Sequence, residues 1–241
     1  MKGTDVTTET RLATIAVLGA LDEEIELLAG KLADVEHVEE AGLSVTSGTV
    51  VSDRGNTIRV VATVAGMGLV AAGSATQHLI TKYGPKAVIF SGIAGNLNPE
   101  LHIDDVVLGG TLRYLDTDME LISAAHPKLT EYHSDPRLIR VAEQALEEQG
   151  TKYIIGTIAS GNHFIAGDTL QGIVREQTQA DAVEMEGAAV VHVAAKNDVP
   201  ALVIRAMSDN ADTEYESFRH FDITRFANTA SSLVFAILSR L

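Results

Sequence analysis

The chain predicts a three-layer α/β/α fold around a central, mixed, twisted sheet, and three observations carry that reading. Short apolar runs rich in β-branched residues recur, stretches of helical periodicity stand between them, and one pair of alternating runs flanks a four-residue turn. Parallel strands joined by helices need cover on both faces, and a hairpin makes such a sheet mixed. With 241 residues, 46% of them hydrophobic, the chain can enclose a large core without a covalent staple. A leader over residues 1–12 and a single domain over 13–241 are expected.

The elements follow in order. Residues 13–20 form an apolar strand ending near Gly19, and 21–32 switch to helical spacing. Residues 43–52 and 57–64 alternate around Asp53-Arg54-Gly55-Asn56, which reads as an antiparallel hairpin. A helix over 68–83, buried strands over 87–91 and 105–109, and a turn at Asn98-Pro99 come next. Asp135-Pro136 opens a helix reaching about Gln149, the proline suiting the first turn. Strands over 153–159 and 182–184, a helix over 186–196, a strand over 201–207 and an amphipathic helix over 222–241 complete the alternation.

Composition narrows the partners. A formal net charge of −15 repels a phosphate backbone, and no cluster of Lys and Arg offsets it, so nucleic acid and anionic membrane are not expected partners. The absence of cysteine excludes disulfides, thiolate metal sites and a Cys nucleophile. Residues 1–11 lack the basic-then-apolar pattern of a secretory signal, and no apolar run approaches the ~18 residues of a membrane span. A cytoplasmic protein acting on a small molecule is the expectation.

In sheets of this kind ligands bind beyond the carboxyl ends of the strands. The segments there are Asp22-Glu23-Glu24, Gly66-Met67-Gly68, Ser91-Gly92-Ile93-Ala94-Gly95, Glu184-Met185-Glu186 and Ser208-Asp209, so carboxylates and glycines gather along one edge. Gly66-Met67-Gly68-Leu69-Val70-Ala71 fits the glycine turn of a dinucleotide site, yet no Asp or Glu for a ribose occurs between Ala71 and Pro99. Close packing of helix on strand is the better account of those glycines. The scattered histidines give no metal-ligand spacing, and no redox cofactor or metal is expected.

Each acid also has a plain structural reading. Asp22 to Glu24 and Glu186 suit the first turns of helices through the helix dipole, Asp209 suits a cap beyond its strand, and Phe164 suits a core.

Three motifs in order resemble the 5′-methylthioadenosine/S-adenosylhomocysteine nucleosidases, whose fold is that of the nucleoside phosphorylases: Gly19-Ala20-Leu21-Asp22-Glu23-Glu24, Val183-Glu184-Met185-Glu186-Gly187 and Arg205-Ala206-Met207-Ser208-Asp209. Ser160-Gly161-Asn162-His163-Phe164-Ile165 and Arg113-Tyr114-Leu115-Asp116 extend the likeness from Ala13 to the C-terminus. The resemblance implies hydrolysis of the N-glycosidic bond of a 5′-substituted adenosine, with no cofactor. It makes Glu24 the base on the attacking water and Asp209 the acid on the imidazole ring of adenine, oriented by Ser208. Glu186 would hold the ribose hydroxyls, Met185 would pack on the sugar, Phe164 would stack on the purine, and the backbone of Ile165 would bond its Watson–Crick edge. Ala20 would lie in the pocket wall, and Leu21, Met67 and Phe221 would enclose the 5′ substituent. Met119 and Ile122 would come from a second subunit of a homodimer.

The chemistry calls for such groups. Breaking the bond builds positive charge on the sugar, and adenine leaves poorly as an anion, so one carboxyl gives a proton while another takes one from water. Ile93 stands where the family commonly has Ser or Thr, and Asn96 stands for a glycine. Asn162 replaces an acid and Leu115 a histidine, which bears on specificity and rate. The alternatives are a purine nucleoside phosphorylase, whose arginines at the first strand and glycine loop are replaced here by acids and Ile89-Phe90-Ser91, and a non-catalytic nucleoside-binding relative.

Overall fold

The computed structural model describes residues 12–19, 22–209, 211 and 224–241. The leader expected over residues 1–12 thus lies outside the described residues save for Leu12, as do Ala20, Leu21, Phe221 and the first two residues of the closing helix.

The elements run β1 (Ala13–Gly19), α1 (Asp22–Ala29), β2 (Ala33–Glu40), β3 (Leu43–Val51), β4 (Thr57–Val64), α2 (Leu69–Tyr83), β5 (Ala87–Asn96) and β6 (Val106–Tyr114). They continue with α3 (Met119–Ile122), α4 (Pro136–Gln149), β7 (Tyr153–Ser160), α5 (Asp168–Thr178), β8 (Ala182–Glu184), α6 (Gly187–Lys196), β9 (Ala201–Asp209) and α7 (Thr224–Arg240). The expected α/β class and mixed sheet are present. β1 is parallel to β4 and β5, β5 to β9, and β7 to β6 and β8, whereas β2–β3, β3–β4, β6–β9 and β5–β8 are antiparallel.

Strand alternation divides the core between the two faces. On β1, Ala16 and Leu18 join the apolar layer under α2 and α6, while Ile15 and Val17 join that under α1, α4 and α7. The local signals act as expected at α4: Asp135 accepts from the amides of Arg137 (2.8 Å) and Leu138 (3.2 Å), Pro136 opens the helix, and Gly150 closes it at φ 65°.

Three features differ from the sequence reading. The sheet does not stay open: β5, β9, β6, β7 and β8 pair in a closed ring because β5 bonds β9 along its length and β8 at Gly95 and Asn96. That closure needs strands longer than the apolar runs, so β5 continues to Asn96, β6 to Tyr114 and β9 to Asp209. Two elements lacked a clear pattern. β2 is exposed along nearly its whole length, so neither face carries an apolar stripe, and α5 buries only Val174 and Thr178. Lastly, Gly66 and Gly68 adopt φ of 80° and 95°, so they serve a turn that side chains would strain, not close packing of helix on strand.

Candidate active site

The carboxyl ends of β5, β8 and β9 and the first turn of α1 meet at one cavity, with about 750 Å³ of empty space partly open to solvent. Its lining includes Glu24, Met67, Ile93, Phe164, Ile165, Met185, Glu186, Ser208 and Asp209, nine of the residues expected from the sequence. Met119 and Ile122 lie elsewhere on α3, none of whose residues is buried.

Glu24 is carried inward by α1. Ile25 and Leu28 bury the helix against the sheet, and the neighbouring Glu24 is 4% exposed. Two glycines give it room. A Cβ on Gly19 would fall 2.8 Å from Glu24 Oε2, and one on Gly92 would fall 2.7 Å from Glu24 Oε1 and 3.1 Å from Arg205 Nη1. Gly92→Ala should therefore displace the Glu24 carboxyl, costing ~1–3 kcal/mol of stability and at least ~10-fold in turnover. Thermal melts and an activity assay check it; an alanine variant of unchanged activity would show that Glu24 needs no such clearance.

Asp209 ends β9 with both carboxyl oxygens engaged. Ser208 Oγ donates to Oδ2 at 2.7 Å and the Ala211 amide to Oδ1 at 2.6 Å. The latter is the capping contact that the plain reading allows, yet the side chain also lines the cavity. A Cβ on Gly95 would lie 3.4 Å from Asp209 Oδ1. Gly92 and Gly95 thus mark the stations of Glu24 and Asp209 along β5, three residues or roughly 10 Å of strand apart.

Glu186 is the N-cap residue of α6 but makes no side-chain cap bond. Its Oε1 instead accepts the Gly68 amide at 2.7 Å, across the turn that Gly66 and Gly68 shape. Burial pushes its carboxyl up to about 7, aided by the negative charges of Glu184 and Glu24 and opposed by Arg205 and the Gly68 amide. The folded protein therefore holds this proton more tightly than the unfolded chain, whose Glu titrates near 4.5. Its stabilising contribution is complete below about 4.5 and is lost as pH rises through about 7. Glu186→Gln, which cannot ionise, should be more stable than the parent at pH 8 by ~1–3 kcal/mol while losing activity. Denaturant melts at pH 5 and pH 8 test this, and equal gains at both would contradict it.

Glu184 and Arg205, for which the sequence motifs imply no role, also line the cavity. Arg205 is 1% exposed, donates from Nη2 to Glu184 Oε2 at 2.6 Å and lies over the Phe90 ring at 4.1 Å. A cation inside the apolar run 201–207 was the available signal, since a buried charge demands a partner. His163, exposed at the cavity, carried no such signal.

The departures resolve unequally. Ile93 lines the cavity, whereas Asn96 braces a turn, donating to Leu101 O at 2.9 Å and accepting the Asn98 amide at 2.9 Å. Asn162 Oδ1 accepts the Leu69 amide at 3.0 Å, and Leu115 is core packed near Gly161. Among the described residues no group of acids and histidines could hold a metal ion, and no helix is long and apolar enough to cross a membrane.

This fold and this cavity define the phosphorylase superfamily, whose family model matches residues 14–241. The 5′-methylthioadenosine/S-adenosylhomocysteine nucleosidase of Staphylococcus aureus (strain JH9) is 32% identical over 94% of this chain and 100% of its own length. A solved structure of the corresponding Neisseria meningitidis enzyme, in complex with methylthio-immucillin-A, superposes with a TM-score of 0.86 at 32% identity, covering 95% of this chain and 100% of that one. Futalosine hydrolase of Helicobacter pylori strain 26695 gives a TM-score of 0.83 at 29% identity, with 95% and 99% covered. The chain belongs to the 5′-methylthioadenosine/S-adenosylhomocysteine nucleosidase family.

Proposed function

We propose that this enzyme hydrolyses the N-glycosidic bond of 5′-methylthioadenosine and S-adenosylhomocysteine, with Glu24 as base and Asp209 as acid. The observation that carries the reading is the convergence of Glu24, Glu186 and Asp209 on one cavity at the strand ends. Asp209 gives its proton to the imidazole ring of the departing adenine as the C1′–N9 bond breaks. Glu24 takes a proton from water as its oxygen bonds C1′, and solvent exchange then resets both groups. The cationic sugar that forms between these events lies near Glu24 and Glu186, whose charges favour it over the neutral ground state. Glu186 Oε1 is held by the Gly68 amide, which leaves Oε2 for the ribose hydroxyls. Phe164 stacks on the purine, the Ile165 backbone reads its edge, Met185 packs on the sugar, and Met67, 54% exposed at the mouth, meets the 5′ group.

Water, not phosphate, is the nucleophile. Among the described lining residues the one arginine is paired with Glu184, and the surrounding carboxylates repel a phosphate dianion. Adenine release should therefore proceed at full rate in phosphate-free buffer, and strict dependence on phosphate would overturn hydrolysis. Running that assay with 5′-methylthioadenosine, S-adenosylhomocysteine, 5′-deoxyadenosine and aminodeoxyfutalosine ranks the substrates.

The same proposal makes residues 13–241 one working domain and the enzyme a cytoplasmic homodimer. The dimer is supported by α3, where Leu121 is 72% and Ile122 42% exposed, a surface suited to reaching the 5′ end of a second copy's pocket through Met119 and Ile122.

A further inference from the structure

Glu184 is a heavily bonded carboxylate of the site, though it takes no part in the proton transfers. It ends β8, is 7% exposed, and accepts five hydrogen bonds from four donor groups on four residues. Oε1 takes the Ser160 hydroxyl and the Gly187 amide (3.0 Å). Oε2 takes the amides of Glu186 (3.1 Å) and Gly187 (2.8 Å) and Arg205 Nη2 (2.6 Å). Ser160 Oγ accepts the next amide, that of Ala188, at 2.8 Å.

The first amides of a helix lack intrahelical acceptors and attract whatever carboxylate stands at the N-cap. In α6 that residue is Glu186, yet Glu184 and Ser160 already satisfy the amides of Gly187 and Ala188. We propose that Glu184 is a positioning residue, which caps α6 in place of Glu186 and so leaves the Glu186 carboxyl directed across the cavity to the Gly68 amide, while also anchoring Arg205. The inference rests on the reading of Glu186 as the ribose ligand.

The charged and titratable groups around Glu186 are Glu24 from α1, Glu184 from β8 and Arg205 from β9, with His163 and Asp209 elsewhere in the cavity lining. Glu184 raises the Glu186 titration and Arg205 lowers it. Glu184→Gln removes the first influence and leaves the second without its counter-ion.

The test is a ¹³C NMR titration of the glutamate carboxyls in the full chain, with Glu186 assigned through Glu186→Gln. In Glu184→Gln the Glu186 midpoint should fall by about one pH unit or more, and KM for 5′-methylthioadenosine should rise at least ~10-fold. Glu184→Asp, which restores the charge, should bring the midpoint back toward the parent value. A folded Glu184→Gln protein with an unmoved midpoint overturns the proposal. If that variant fails to fold, Ser160→Ala frees the Ala188 amide and removes one donor to Glu184 Oε1; a KM raised several-fold supports the proposal, and a lowered Tm with unchanged KM overturns it. The titration needs no turnover, so absence of adenine release from the parent enzyme would refute the hydrolytic reading separately.

Discussion

Asp209→Asn should slow adenine release by about 10³-fold or more, with the loss in kcat and little change in KM. The substitution keeps the shape of the side chain and an oxygen able to accept the Ala211 amide, so the end of β9 should hold its conformation. What disappears is the transferable proton. Without it adenine must leave as an anion. Ser208 cannot substitute, because its hydroxyl orients Asp209 and contacts Ala94 O at 3.2 Å. Equal kcat in parent and variant would remove Asp209 as the acid.

Glu24→Gln should cost ~10²–10⁴-fold in kcat/KM, since it leaves the water without a base and the cationic sugar with one negative charge fewer. A second consequence separates it from Asp209→Asn. Glu24 raises the Glu186 titration by its charge, so the variant should shift the ionisation of Glu186 downward from about 7. The residual activity of Glu24→Gln should therefore reach its ionised-Glu186 plateau at lower pH than the parent. A profile with unchanged midpoints would mean that these carboxyls do not interact.

Much of this was legible in the sequence. Hydrophobic period and punctuation placed the strands that carry the site, and Asp135-Pro136 with Gly150 bounded α4 closely. The candidate site was legible because its acids fall at strand ends, where a buried sheet gives way to loops and helix starts. What escaped reading depends on partners distant in the chain. β2 is held by pairing with β3 and by the Glu40 carboxyl, which bonds His78 at 2.8 Å and Tyr83 at 2.6 Å, not by a buried face of its own. Closure of the ring follows from β5–β8 pairing at two residues, a register that no local pattern encodes. Glu184 looked like one more acid of a motif until the fold brought Ser160, Arg205 and the start of α6 around it.

Hydrolysis of this kind requires Asp209 and Glu24 to face one bound nucleoside from opposite ends. A crystal structure of Asp209→Asn with intact 5′-methylthioadenosine measures this directly. The side chain at 209 should stand within ~2.6–3.2 Å of the purine imidazole nitrogen, with a water between Glu24 and C1′ and the ribose hydroxyls on Glu186. A nucleoside bound in that cavity with its purine turned away from 209, or its anomeric carbon out of reach of a water on Glu24, would contradict it.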